Sequence, residues 1–269
     1  MRTASPRGGS RWTAPNNNYG HCLHGGPRGF QYRVFDAVQK SDRELELTYA
    51  SKDGEEGFPG NFECRVTMTL TDDNAIDIRY AAETDKTTVV NMTNHCYFNL
   101  DGDPAKDNSE WLLTVNADSY TPVDSTFMTT GEIAPVEGTP MDFRTPTPVG
   151  ERIDRDFEQL RNGHGIDHNW VLNTRGDIAE ACASLESPAT GIRLDVYTTE
   201  PGIQVYCGNF LDGSVKGKKG AVYGFRSAVC LETQKYPDTP NKPEWPSAVL
   251  RPGEIYNEKI VFRFETDAN

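Results

Sequence analysis

Three consecutive stretches decide the fold class: Arg65-Val66-Thr67-Met68-Thr69-Leu70, Asp72-Asp73-Asn74, and Ile76-Asp77-Ile78-Arg79-Tyr80. In the first and last, apolar and polar residues alternate strictly. Period two puts one set of side chains on a core and the other in water, which is the signature of antiparallel sheet. The acidic-amide run between them is a turn signal, so the three together read as a hairpin. The same pattern continues outward in both directions. Leu45, Leu47 and Tyr49 alternate with Glu44, Glu46 and Thr48, and Ile192, Leu194 and Val196 repeat the spacing. Near the end, Ile260, Phe262 and Phe264 are interleaved with Lys259, Val261 and Arg263. Turns at Lys52-Asp53-Gly54, Asp101-Gly102-Asp103-Pro104 and Asp212-Gly213 punctuate the series. One helix-like piece is expected, from Arg152 to Arg161. The expected fold is all-β, a large antiparallel β-sandwich.

The chain has 269 residues, enough to bury a core without disulfide staples. We expect an irregular segment over 1–20 and a single domain over 21–269, since no linker rich in Gly, Ser or Pro divides the rest. Net charge is −13 and the isoelectric point about 4.8, so a phosphate backbone is repelled and nucleic acid is excluded as a partner. No apolar run is long enough for a membrane helix. Arg2, Arg7 and Arg11 precede the first acid, but Pro6, Gly8, Gly9 and Pro15 break any amphipathic helix, and we read no targeting segment. Cys22, Cys64, Cys96, Cys182, Cys207 and Cys230 show no CxxC spacing. Reduced thiols in the cytoplasm are expected, with no disulfide framework and no zinc site.

Four stretches carry groups capable of chemistry. Val229-Cys230-Leu231-Glu232-Thr233-Gln234 begins as an apolar strand and holds an isolated glutamate where that strand runs out. A carboxylate there can face a cleft while its backbone stays in a ladder, as a general base requires. Taken alone, the stretch reads more simply as a solvent-facing glutamate on an edge strand. Leu23-His24-Gly25-Gly26-Pro27 sets an imidazole beside glycines that allow close backbone approach. Asn94-His95-Cys96-Tyr97-Phe98-Asn99 puts a histidine among amides and aromatics, and Gly165-Ile166-Asp167-His168-Asn169-Trp170 puts an acid just before an apolar strand. Each has a plain alternative: His24 as a turn histidine, His95 as a satisfied core histidine, Asp167 as a turn cap.

Taken together and in order, the strings CLHGGPRGF, NMTNHCYFNL, SYTPVDSTFMTTGEIAPVEGTPMDFR, GIDHNWVL, VYTTEPGIQVYCGNFLDG and CLETQKYPDTPNKPEWPSAVLRPGE resemble the galactose mutarotase (aldose 1-epimerase) family. The resemblance runs from about His21 to the C-terminus and implies the galactose mutarotase-like supersandwich. It implies Glu232 as general base, His95 as general acid, and His24 and Asp167 as sugar-binding groups. Asn94 and Gln234 could supply further hydroxyl partners. Tyr97, Trp170 and Phe210 could stack on a pyranose, although each also reads as core. Members of the family begin with further strands and an Asn-Arg segment whose arginine contacts the sugar. Here those strands are missing or compressed into residues 1–18, and Arg7 is the nearest candidate for the arginine. An exposed sheet edge, and self-association through it, is the expected consequence.

The implied reaction interconverts the α and β anomers of a hexose such as galactose or glucose by acid–base ring opening, without redox change, so it implies no cofactor, and no metal ligand set is visible in the sequence. Two other readings stand beside it. A hexose-6-phosphate 1-epimerase needs basic side chains converging on a phosphate, with Arg28, Arg33 and Arg226 as candidates. A truncated, non-catalytic sugar-binding protein has no need for an acid–base pair.

Overall fold

The alternation around Asp72-Asp73-Asn74 folds as a hairpin whose two strands exchange partners from Phe62↔Thr84 to Leu70↔Ile76. A computed structural model describes residues 3–4 and 12–266 of the chain. We number the longer strands in chain order. They are β1 Asp36–Ser41, β2 Glu44–Ser51, β3 Phe62–Leu70, β4 Ala75–Thr84, β5 Leu112–Val115 and β6 Ser119–Thr121, followed by β7 Asp167–Val171, β8 Ala183–Ser187, β9 Ile192–Thr198, β10 Gly202–Tyr206, β11 Cys230–Gln234 and β12 Tyr256–Thr266. The chain forms two compact units, Met1–Met92 with Pro237–Ile260, and Thr93–Tyr236 with Val261–Asn269.

In the first unit β1, β2, β3 and β4 form an antiparallel meander. Its register sets Leu45 against Met68 and Met68 against Ile78, then Leu47 against Val66 and Val66 against Tyr80. The apolar residues of three strands therefore share one face, as their spacing requires. Asn74 closes the hairpin with φ +59°, a left-handed conformation that Asn tolerates because its short amide bonds locally. β1 is exposed along its whole length and its register slips between Gln39 and Ser41. Trp12–Thr13 pairs with Thr3–Ala4, and the Trp12 ring packs on Phe58 with centroids 4.9 Å apart.

The second unit is a sandwich. One sheet runs Ala134–Pro135, β6, β7, β10, β11, all antiparallel. The other contains Thr147–Pro148, β5, β8 and β9. The Thr198 hydroxyl of β9 meets that of Thr233 on β11 at 2.9 Å, so the sheets face one another. Leu113, Val115, Leu185, Leu194, Val196, Trp170, Ile203, Val205 and Leu231 fill the space between them, each essentially without solvent contact. The Trp170 indole N–H donates to the Met141 carbonyl at 3.1 Å, which satisfies its one polar atom inside the core.

The helix expected over Arg152 to Arg161 is divided into Val149–Arg152 and Glu158–Asn162, the two α-helices among the described residues. Asp154, between them, holds both guanidinium nitrogens of Arg226 at 2.9 Å, and Phe157 is extended. A bidentate ion pair outweighs the few tenths of a kcal/mol per residue that separate helix propensities.

Candidate active site

The site is built on one face of the three adjacent strands β7, β10 and β11. The register sets Asp167 opposite Tyr206, Asn169 opposite Gln204, Gln204 opposite Glu232, and Tyr206 opposite Cys230. Directly opposed residues share a face, and alternate residues along a strand do too. Asp167, Asn169, Gln204, Tyr206, Cys230, Glu232 and Gln234 thus line one side of the sheet. His168, Trp170, Ile203, Val205, Leu231 and Thr233 line the side turned to the sandwich core. A one-residue slip of β11 would send Glu232 into that core, so the burial of Leu231 and Thr233 determines where the carboxylate points.

His95 arrives from an irregular segment and is held by its neighbours. Phe98 exchanges two backbone hydrogen bonds with Val229, at 2.9 and 3.0 Å, immediately before β11 begins. The Asn99 amide donates to the Ser227 carbonyl at 2.8 Å. The Asn94 side-chain oxygen accepts from the Cys96 backbone N–H at 3.0 Å and turns the chain at His95. As a result His95 Nε2 lies 3.5 Å from Glu232 Oε1. On the other arm, the Gln204 amide donates to Asp167 Oδ1 at 2.7 Å. Gly165, two residues before Asp167, has φ +125°, and a Cβ there would lie 2.5 Å from Asn209 Oδ1. The tight entry into β7 therefore requires glycine.

Burial tunes these groups in opposite directions. Glu232 is 4 % exposed, and loss of water pushes its carboxyl up to about 8, with the charge of Asp167 adding to the effect. Burial raises Asp167 to about 6, while the Gln204 hydrogen bond pulls it back. Burial lowers His95, whose side chain keeps 32 % exposure. The pair therefore holds one proton across neutral pH, resting on the carboxyl. His168 is driven down to about 4 by complete burial and stays neutral in the core.

Aromatic rings flank the pair. Tyr97 lies 5.1 Å from the His95 ring and Tyr206 6.2 Å from it, while Phe210 stacks on Tyr206 at 6.3 Å. Tyr97 and Phe210 are 50 % and 53 % exposed, so both offer a free face. Trp170 is fully buried against Phe143 and belongs to the core.

Of the residues singled out in the sequence, Glu232, His95 and Asp167 meet at this face, with Gln234 at the end of the same row opposite Gly202. Asn94 is adjacent, its carbonyl committed to the turn. His24 belongs to the first unit, exposed on a turn with φ +51°. Arg7 lies outside the described residues. Gln204 and Tyr206 escaped notice in the sequence. The signal for them was the alternation Ile203-Gln204-Val205-Tyr206, whose polar positions match those of Glu232 and Cys230 across the ladder.

The model of the Aldose 1-epimerase family matches residues 5–263 of the chain. The galactose mutarotase of Rattus norvegicus is 44 % identical over 256 residues, which is 95 % of this chain and 72 % of the relative. The aldose 1-epimerase of Escherichia coli K12 is 41 % identical over 244 residues, 90 % of this chain and 70 % of the relative. The crystal structure of a GalM/aldose epimerase homologue from C. elegans superposes with a TM-score of 0.88 at 32 % identity, covering 98 % of this chain and 78 % of that one. With a family match across nearly its whole length and relatives above 40 % identity, the chain belongs to the aldose 1-epimerase family.

Proposed function

We propose that the chain is an isomerase that interconverts the α and β anomers of a free aldose such as galactose or glucose, and that Glu232 and His95 move the protons. The observation that carries this reading is the 3.5 Å pair of a nearly buried carboxylate and a half-buried imidazole on one wall of a polar sheet face. The proton first passes from the Glu232 carboxyl to His95 across their 3.5 Å contact. In ring opening, Glu232 as carboxylate then takes the proton from the anomeric hydroxyl while imidazolium His95 gives one to the ring oxygen. The C1–O5 bond breaks, C1 becomes a carbonyl, and the proton count of the pair is unchanged. Rotation about C1–C2 followed by the reverse transfers closes the ring on the other face. Neutral Glu232 then donates to O1 while His95 takes back the proton from O5.

The raised carboxyl suits this cycle, because each group must act as acid in one half and base in the other. Transfers by positioned groups of this kind contribute about 10²–10⁴-fold. Asp167, held by Gln204, supplies an acceptor for sugar hydroxyls, with Asn94 and Gln234 as the further proposed contacts. The exposed faces of Tyr97 and Phe210 suit the apolar side of a pyranose. Against a sugar phosphate stands Arg226, whose guanidinium is already committed to Asp154 and Asn209. Against a binding-only protein stands the acid–base pair itself. We place the reaction in the cytoplasm, a reading supported by six cysteines of which none is in a disulfide.

Polarimetry on freshly dissolved α-galactose and α-glucose, corrected for spontaneous mutarotation, tests the proposal. Acceleration of the approach to equilibrium rotation is expected. A rate equal to the buffer blank would overturn it.

A further inference from the structure

His95, Cys230 and Glu232 offer more than an acid and a base. One imidazole nitrogen, one thiol sulfur and one carboxylate oxygen lie within 4.8 Å of one another, close enough to serve as ligands of one cation. Cys230 and Glu232 are alternate residues of β11 and share its polar face, while His95 is held beside them by the Phe98–Val229 bridge. The sequence conceals the set, since His95 is remote in the chain and no CxxC spacing announces it. Cys230 is fully buried, and proton transfer to a sugar makes no use of it.

We propose that this cluster is a binding site for a zinc-class divalent cation, which blocks the acid–base pair reversibly and competes with the sugar. The donor set selects the metal. Thiolate and imidazole suit borderline-soft zinc, whereas magnesium and calcium require oxygen ligands. Zinc bonds of about 2.3 Å to sulfur and about 2.0–2.2 Å to nitrogen or oxygen put tetrahedral ligand atoms roughly 3.3–3.8 Å apart. The present bound of 4.8 Å exceeds that span by about 1 Å, which side-chain rotation has to close on binding. Cys230 binds as thiolate and releases its proton to water. The fourth position stays open to water, as in sites with three protein ligands. His95 and Tyr97, both partly exposed, provide the way in.

The test uses a parent carrying Cys22→Ser and Cys96→Ser, which removes the exposed thiols. Cobalt(II) serves as the spectroscopic stand-in for zinc. One equivalent should produce a thiolate-to-cobalt charge-transfer band, abolished by added zinc and weakened by galactose. Zinc should inhibit turnover while magnesium does not. Cys230→Ala and Cys230→Ser should lose the band and raise the half-inhibiting zinc concentration at least about tenfold relative to each variant's own uninhibited rate. Absence of the band in the parent, or zinc inhibition unchanged in both variants, would overturn the proposal. If neither variant folds, the presence or absence of the parent's band decides alone. Because the band needs no turnover, this result is separate from the success or failure of the mutarotase reading.

Discussion

Replacing Asp167 by asparagine removes a negative charge near Glu232 while keeping an amide of the same shape beside Gln204. The two carboxyl groups lie on β7 and β11, separated by β10. Two strand spacings of about 4.8 Å and a two-residue offset along the strands put the charges roughly 12 Å from one another. At an effective dielectric of about 20 their repulsion is about 1.4 kcal/mol, about one pK unit. The sign follows from the charges. Ionised Asp167 disfavours ionised Glu232 and so raises its pKa, and Asp167→Asn should lower it from about 8 toward about 7. The competent enzyme carries one proton on the Glu232–His95 pair. Activity therefore falls on the acid side when His95 takes a second proton and on the alkaline side when Glu232 loses the last one. Burial, not Asp167, depresses His95, so the titration of His95 itself should stay in place. The assay is polarimetric kcat/KM from about pH 5 to about pH 9 with a chelator present, corrected for the spontaneous rate. A plateau narrowed by about one unit at its alkaline end is expected, whatever the variant loses in absolute rate. An alkaline limb that stays put or moves upward would refute the electrostatic account.

Glu232→Gln should lower turnover about 10²–10⁴-fold in the same assay, since the amide keeps the shape but accepts no proton. Because the folded pKa of Glu232 is raised, its contribution to stability is full below the unfolded value of 4.5 and is lost as pH rises through about 8. The variant should therefore unfold at a higher temperature than the parent near pH 8 and show little difference near pH 4.5, and calorimetry giving the reverse order would sink this reading. His95→Asn should reduce kcat about 10²-fold or more with KM changed only a few-fold, as expected of a group that acts mainly in the transition state. β1 has no further strand on its outer side among the described residues, and Val38 at its centre is half exposed. We expect mass growth with concentration in light scattering, suppressed by Val38→Lys, and a concentration-independent monomer would contradict it. The strand Tyr256–Thr266 begins in one compact unit and ends in the other, and each unit is discontinuous in sequence, so we expect residues 21–269 to melt as one domain. Two resolved calorimetric transitions would show otherwise.

Much of this protein was decided by its sequence alone. Period-two alternation at Val66-Met68-Leu70 and Ile76-Ile78-Tyr80 determines an antiparallel hairpin, because successive side chains of a strand must point to opposite faces. The same rule places Glu232 on a strand flanked by the buried Leu231 and Thr233. These are local constraints, complete within a few residues. The meeting of Asp167, Gln204 and Glu232 is different, since it depends on three strands pairing in one register. The position of His95 depends on backbone bonds between Phe98 and Val229, which no local pattern announces. The division of the expected helix follows from Arg226, remote in the chain, gripping Asp154. The upward shift of Glu232 and the downward shift of His95 also belong to the tertiary structure. Desolvation is a property of everything packed around a group, so a carboxyl that would titrate near 4.5 in an isolated strand is held protonated toward 8 only once the sheets and loops have closed over it.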